Sequence, residues 1–181
     1  MRLFVAVDLP ATVKDELDHA VDDVRPSLAE ARWVPRDNLH LTVSFLGEVG
    51  DERVEGIVAA MQEALTATAP FVARLAGSGA FPSARRARVL WAGLEAAEDR
   101  LASVANACIR ALEPLGFPAE SRPWTAHVTV ARLREPGEVS RALPLTLEPV
   151  AFPIEAVTLF RSRLGRPAPR YEAIAAVPFG A

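Results

Sequence analysis

Hydrophobic and polar residues follow two different periods along this chain. Alternation with a period of two predicts β-strands, and recurrence every three to four positions predicts amphipathic helices. The first pattern predicts strands over residues 3–8, 39–46, 89–94, 127–133, 154–160 and 171–177, with a further extended segment over 71–81. The second predicts three helices: one from Pro10 with a hydrophobic stripe that reaches Leu28, one after an N-cap at Asp51, and one over 101–112 that ends before Pro114.

The order strand, helix, histidine-bearing strand occurs twice. Leu3 precedes His40 by 37 positions, and Val89 precedes His127 by 38. This internal repeat predicts an α+β fold with two pseudo-symmetric lobes, each an antiparallel-rich sheet with helices outside, around a central groove. We expect one bilobal domain over residues 1–181, with repeat-like halves at roughly 1–80 and 85–181.

Composition and charge narrow the class of protein. Half of the residues are hydrophobic and 24% are charged, which is typical of a globular protein. The sequence has neither a membrane-length hydrophobic run nor a signal-peptide pattern at its start, so we expect a cytoplasmic protein without membrane attachment. We also expect a monomer. A net charge of −3 argues against non-specific coating of nucleic acid, although the basic residues other than Lys14 are arginines, which suit bidentate phosphate recognition.

Two of the three histidines begin the same short motif, His-Leu-Thr-Val from position 40 and His-Val-Thr-Val from position 127. On a strand, residues two apart share a face, so His40 lies beside Thr42 and His127 beside Thr129. The opposite face, including Phe45, is expected to enter the core. Two imidazoles can act as acid and base near neutral pH, and two hydroxyls can stabilise phosphate oxygens, which favours phosphodiester cleavage.

Other catalytic centres have less support in the sequence. A catalytic zinc site usually needs three protein ligands, and neither His40 nor His127 has a second histidine nearby, so we expect no metal and no other cofactor. His19 is predicted to lie on a helix surface. The single cysteine, Cys108, falls on a buried helical stripe and has no partner for a disulfide.

The paired motifs resemble those of the two-histidine (2H) phosphoesterase superfamily, and in particular the RNA 2′,3′-cyclic phosphodiesterases once called 2′-5′ RNA ligases. The similarity extends over most of the chain, through residues 2–10, 38–42, 45–48, 87–93, 122–132, 159–162 and 169–171. Relatives often carry a proline directly before the second histidine, where this chain has Trp124-Thr125-Ala126.

The resemblance implies hydrolysis of RNA 2′,3′-cyclic phosphate ends to 2′-phosphomonoesters. It implies that His40 is the proton donor and His127 the proton acceptor, and that Thr42 and Thr129 hold the phosphate oxygens. The sequence alone does not distinguish this direction of proton transfer from the reverse. A 2′-5′ ligase, a phosphodiesterase of small cyclic nucleotides and a non-catalytic RNA-end binding module remain alternatives.

Four further residues are candidates for substrate binding. Arg132 matches a phosphate-binding arginine of the family, but strand alternation predicts that it points away from the groove unless a bulge or the end of the strand follows Val130. Phe4 either stacks on a base or belongs to a second hydrophobic cluster. Trp33 and Trp124 each precede a histidine strand and are candidates to line the groove, although we expect packing to explain at least one of them. The arginine-rich segments 85–88 and 161–170 are either an RNA-backbone track or solvated surface.

Overall fold

The structure, a computed structural model, describes residues 1–166 and 168–180 and contains nine strands and three α-helices within them. The strands are β1 (Arg2–Asp8), β2 (Ala31–Trp33), β3 (His40–Glu48), β4 (Phe71–Phe81), β5 (Ala87–Ala96), β6 (His127–Gly137), β7 (Ala151–Ile154), β8 (Ala156–Arg163) and β9 (Arg170–Pro178). The helices are α1 (Ala11–Asp22), α2 (Val54–Leu65) and α3 (Arg100–Leu112).

The strands form one antiparallel sheet in the order β7-β4-β5-β6-β3-β1-β8-β9, with β2 also paired to β6. The strands β3 and β6 join its two halves, and among the described residues they share one paired position, Leu41 with Val128. Each half therefore contains a histidine strand at the centre of the molecule. The predicted α+β fold with two pseudo-symmetric, antiparallel halves is confirmed.

The halves of the sheet do not coincide with the sequence halves 1–80 and 85–181. β4 pairs with β5 and belongs to the half that contains His127, whereas β8 and β9 lie beside β1 in the half that contains His40. The chain changes halves at Glu155, which separates β7 from β8. The predicted strand over 154–160 is therefore two strands, because Ile154 pairs with β4 while residues from Thr158 onward pair with β1.

Each helix buries one face against the hydrophobic core. α1 buries Val13, Leu17, Ala20 and Val21. It ends at Asp22, earlier than its stripe predicts, because Pro26 lies within a separate 3-10 turn, Arg25–Leu28. The predicted N-cap at Asp51 is wrong, since that residue begins a 3-10 turn and caps no helix. No helix in the described part of the chain is long and hydrophobic enough to cross a membrane.

Candidate active site

The two histidine motifs begin the two strands that meet at the centre of the sheet. β3 begins at His40, and β6 begins at His127. Leu41 and Val128 pair across the two antiparallel strands, and both are buried. Since each of these residues directly follows its histidine, the local pseudo-twofold axis passes between them.

Strand alternation places each histidine and its threonine on the face opposite that buried pair. Extension of the same register places His40 across from Thr129 and Thr42 across from His127. The structure therefore brings the four motif residues together on one face of the sheet. Both histidines and both threonines are half-buried.

A β-bulge follows the same position in each motif. Val43 is an extra residue in β3, as two consecutive residues of β1 pair with the residues directly before and after it. Val130 bulges from β6 in the same way, opposite consecutive residues of β5. A bulge shifts the alternation by one residue, so Phe45 and Arg132, each five positions after its histidine, turn towards the groove.

The bulge at Val130 settles the orientation of Arg132. Its exposed side chain lines the same cavity as His127 and Thr129. The matching bulge corrects the prediction for Phe45, which was expected in the core and is instead 60% exposed on the cavity wall.

A backbone carbonyl two residues earlier orients each imidazole. The Nδ1 atom of His40 lies 2.7 Å from the carbonyl oxygen of Asn38, and Nδ1 of His127 lies 2.8 Å from that of Thr125. A carbonyl oxygen can only accept a hydrogen bond, so Nδ1 carries a proton and donates it in both rings. Nε2 is thus the atom of each ring that can exchange a proton with a substrate.

Burial is the main influence on the protonation of His40 and lowers its pKa below the ordinary imidazole value. The hydrogen bond to the carbonyl of Asn38 opposes this shift. The positive charges of Lys14 and Arg132 lower the pKa further, and the carboxylate of Asp8 raises it. Unbound His40 is therefore mainly neutral at pH 7.

Aromatic side chains enclose the imidazole of His40. The ring of Phe4 lies 4.9 Å from it, between centroids, and the ring of Tyr171 lies 5.2 Å from it, edge-on. Phe4 is 3% exposed and packs with Ala6 and Phe160 in a small second cluster. The structure thus contradicts Phe4 as an exposed platform for base stacking, because its ring lies beneath His40.

His127 has its own pair of aromatic neighbours, with centroids 5.1 Å away for Phe81 and 6.3 Å away for Trp91, both edge-on. The indole of Trp91 lies against Gly79, where a Cβ atom would overlap its ring. Gly79 therefore makes room for one wall of the His127 environment. The aromatic rings beside both half-buried histidines limit their contact with water and strengthen their interactions with a bound charge.

A cavity of about 620 Å³ opens beside the motifs and is lined by Thr42, His127, Thr129, Arg132 and Trp124, among others. His40 is not part of its wall and packs against the rings of Phe4 and Tyr171.

The two tryptophans have different positions. Trp124 lines the cavity, and its indole Nε1–H donates a hydrogen bond to the backbone oxygen of Thr42 at 3.0 Å. Trp33 is not part of the wall of this cavity: it pairs with Ala131 on β2 and packs under the guanidinium of Arg25, 5.1 Å from the ring centroid.

Four further residues shape this site although the sequence patterns did not identify them: Asn38, Phe45, Phe81 and Tyr171. Two of them carried a usable signal, because Asn38 precedes its histidine by the same two positions as Thr125, and Phe45 occupies the position of Arg132 in the repeat. Phe81 and Tyr171 reach the histidines only through strand pairing, which local spacing does not reveal.

The other chemistry-bearing residues lie apart from this centre. In the described ranges 1–166 and 168–180, no three His, Cys, Asp or Glu side chains converge as a set of metal ligands. Cys108 is fully buried on α3, and burial raises the pKa of its thiol to about 12, so it is a thiol at neutral pH. His19 is exposed on α1, as predicted.

Comparison with known proteins agrees with this geometry. A phosphodiesterase of Thermus thermophilus, named RNA 2′,3′-cyclic phosphodiesterase, is 37% identical over 94% of this chain and 86% of its own length. A protein of the same name from Geobacillus stearothermophilus is 32% identical over 97% of this chain, which spans only 56% of that relative.

Two solved structures have the same fold. The protein TT0787 of Thermus thermophilus superimposes with a TM-score of 0.85 at 34% identity, covering 99% of this chain and 98% of that one. LigT of Escherichia coli in complex with 3′-AMP superimposes with a TM-score of 0.77 at 27% identity, covering 98% and 97%. The profile of the LigT-like phosphoesterases matches residues 7–91 and 94–171. Paired histidine motifs, sheet topology and sequence similarity thus agree, and the chain belongs to the family of LigT-like phosphoesterases.

Proposed function

We propose that this protein hydrolyses 2′,3′-cyclic phosphates at RNA ends and leaves 2′-phosphomonoesters. The pairing of Leu41 with Val128 carries the proposal, since it places the histidine of each motif across from the threonine of the other. The names of its relatives in Thermus and Geobacillus support this substrate class.

Hydrolysis requires one proton to leave the attacking water and one to reach the departing oxygen. In the proposed reaction Nε2 of His127 accepts a proton from water while the water oxygen bonds to phosphorus. The bond between phosphorus and O3′ breaks, and Nε2–H of His40 protonates O3′. Each of these transfers contributes a rate factor on the order of 10²–10⁴.

Hydrogen-bond donors around the phosphate stabilise the charge that develops on its non-bridging oxygens. The hydroxyls of Thr42 and Thr129 share the face of the histidines, and the guanidinium of Arg132 lines the same cavity. Donors that are already oriented before the reaction require little rearrangement in the transition state.

The pKa of His40 bears on the proposed direction of transfer. Burial keeps this histidine mainly neutral before substrate binds, whereas a proton donor must be charged. A phosphodiester brings a negative charge to the site, and an adjacent anion raises the pKa of an imidazole. Substrate binding thus favours the protonated form of His40 that the proposed donor role requires.

The decisive experiment incubates an oligoribonucleotide that ends in a 2′,3′-cyclic phosphate with the protein in EDTA. A 2′-phosphate product, and its loss in folded His127→Ala and His40→Ala, would support the proposal. A 3′-phosphate product would contradict it. Conversion of mononucleoside cyclic phosphates alone would favour a small-nucleotide phosphodiesterase, joining of ends would favour a ligase, and tight binding without turnover would favour a binding module.

Arg132→Gln tests the phosphate contact in the same assay. Loss of a hydrogen bond to a charged group costs about 1.5–3 kcal/mol, so kcat/KM should fall by about tenfold to a hundredfold. Arg134→Gln is the matched control, because this substitution removes the same charge from an exposed position outside the cavity. Equal losses in the two variants would argue against a specific role for Arg132.

We also propose that this protein is a cytoplasmic monomer that needs no metal or other cofactor. One chain supplies both motifs and the cavity, which supports activity without a second subunit. Activity in EDTA at concentrations where sedimentation shows a monomer would support it, and restoration of lost activity by a divalent ion would contradict it.

A further inference from the structure

A second cavity, of about 450 Å³, adjoins the candidate active site. The two cavities share Phe81, Val89 and Arg122 as common walls. The ring of Phe81 also lies edge-on to His127, with 5.1 Å between the ring centroids. An RNA strand that extends from the histidines across this ring therefore reaches the second cavity.

The second cavity is strongly basic in a protein of net charge −3. Its wall contains Arg86, Arg88 and Arg122, and no acidic residue is part of that wall. Three guanidinium groups at one concave site attract an anion, and their planar donors match the oxygens of a phosphate.

These arginines differ from four others on the surface in their charge partners. Arg25, Arg36, Arg74 and Arg163 each pair with a carboxylate. Across residues 1–166 and 168–180, Arg86, Arg88 and Arg122 form no such ion pair. Within these ranges their guanidiniums donate one hydrogen bond, from Arg88 to the backbone oxygen of Arg134, at 3.4 Å.

The local backbone holds two of them in place. Arg86 ends the 3-10 turn Ala84–Arg86, and Arg88 lies one residue into β5. Between them Ala87 is fully buried, and the oxygen of Ala84 accepts a hydrogen bond of 2.8 Å from the backbone N–H of Val139. The basic wall is therefore anchored to the sheet.

We infer that this basic cavity binds the phosphate that links the terminal nucleotide to its 5′ neighbour. The inference rests on the proposed function and extends it to substrate choice. An RNA end carries this phosphodiester one nucleotide away from the reacting phosphate, whereas a mononucleoside cyclic phosphate has none. The cavity thus selects the end of an RNA strand over a free cyclic nucleotide.

The test compares kcat/KM for a dinucleotide that ends in a 2′,3′-cyclic phosphate with kcat/KM for adenosine 2′,3′-cyclic phosphate. Wild-type protein should prefer the dinucleotide by at least about tenfold, the scale of one charge-assisted contact. Arg86→Gln combined with Arg88→Gln should lower this preference to near unity, with most of the loss in the dinucleotide. The salt dependence of dinucleotide kcat/KM should also become less steep.

Arg110→Gln combined with Arg141→Gln is the matched control, because these exposed residues line neither cavity and their loss changes the net charge equally. The control should retain the preference. Equal preference in wild type and the Arg86/Arg88 variant, or the same loss in the control, would overturn the inference.

Failure of the proposed function gives a different result. If wild-type protein hydrolyses neither substrate, the proposed reaction is wrong, and fluorescence anisotropy with a labelled oligoribonucleotide ending in a 2′-phosphate then tests the cavity by itself. Weaker binding in the Arg86/Arg88 variant than in the Arg110/Arg141 control would support the phosphate site. Equal binding would overturn it.

Discussion

The side-chain amide of Asn38 donates a hydrogen bond of 2.7 Å to the backbone oxygen of Pro169, 131 positions further along the chain. Asn38 is a buried polar residue, and its own carbonyl oxygen accepts the hydrogen bond from Nδ1 of His40. One residue therefore connects the segment before β9 to the orientation of a motif histidine.

Asn38→Ala removes the donor and leaves the oxygen of Pro169 without this partner. We expect the free energy of unfolding to fall by about 1–3 kcal/mol, as measured by denaturant unfolding. We also expect kcat to fall more than KM rises, because the backbone oxygen that orients His40 loses its support. Asp37→Ala, at an exposed neighbouring position, should change neither quantity appreciably. A variant that loses stability but keeps kcat would show that Asn38 stabilises the fold without positioning His40.

Two neighbouring charges should shift the pKa of His40 in opposite directions. Lys14 lowers this pKa and Asp8 raises it, and the two side chains form an ion pair of 2.8 Å. Lys14→Gln should therefore raise the pKa of His40, and Asp8→Asn should lower it, when each is followed by NMR titration of the imidazole signals. Shifts of the same sign in both variants would contradict this electrostatic account.

The same lowered pKa makes folding stability depend on pH. In the unfolded chain His40 binds a proton near pH 6.5. In the folded protein its imidazole becomes protonated only at a lower pH. Stability should therefore fall as the pH drops below about 6.5 and stop falling below the folded pKa. His40→Gln should flatten this part of the profile measured by denaturant unfolding, while His19→Gln, on the surface of α1, serves as the control. An unchanged slope in His40→Gln would contradict the prediction.

Trp124 and Trp33 provide a matched pair for testing the contact between the loop before β6 and β3. Trp124→Phe removes the indole donor to the oxygen of Thr42 but keeps an aromatic ring on the cavity wall. We expect a loss of about 0.5–1.5 kcal/mol in the free energy of unfolding, together with a lower kcat/KM. Trp33→Phe should affect stability alone, since this residue lies outside the cavity. Equal effects of both variants on kcat/KM would argue against the contact as a positioning element.

Local patterns in the sequence determined most of the elements and the central residues of the candidate site. Alternation predicted the histidine strands, and the repeated motif identified His40, Thr42, His127 and Thr129. These features are local, because the side chains of a strand alternate wherever that strand lies in a sheet. The resemblance to 2H phosphoesterases depended on the same residues and is confirmed by the family match.

Only the tertiary structure decided which strands meet and which way the residues after each motif turn. The bulge at Val130 directs Arg132 into the cavity, and the equivalent bulge at Val43 exposes Phe45. Pairing of β8 with β1 rather than with the second half of the sheet brings Phe160 beneath Phe4 and buries it. Bulges and long-range pairing depend on the register between segments that are far apart in sequence, and alternation within one segment carries no information about that register.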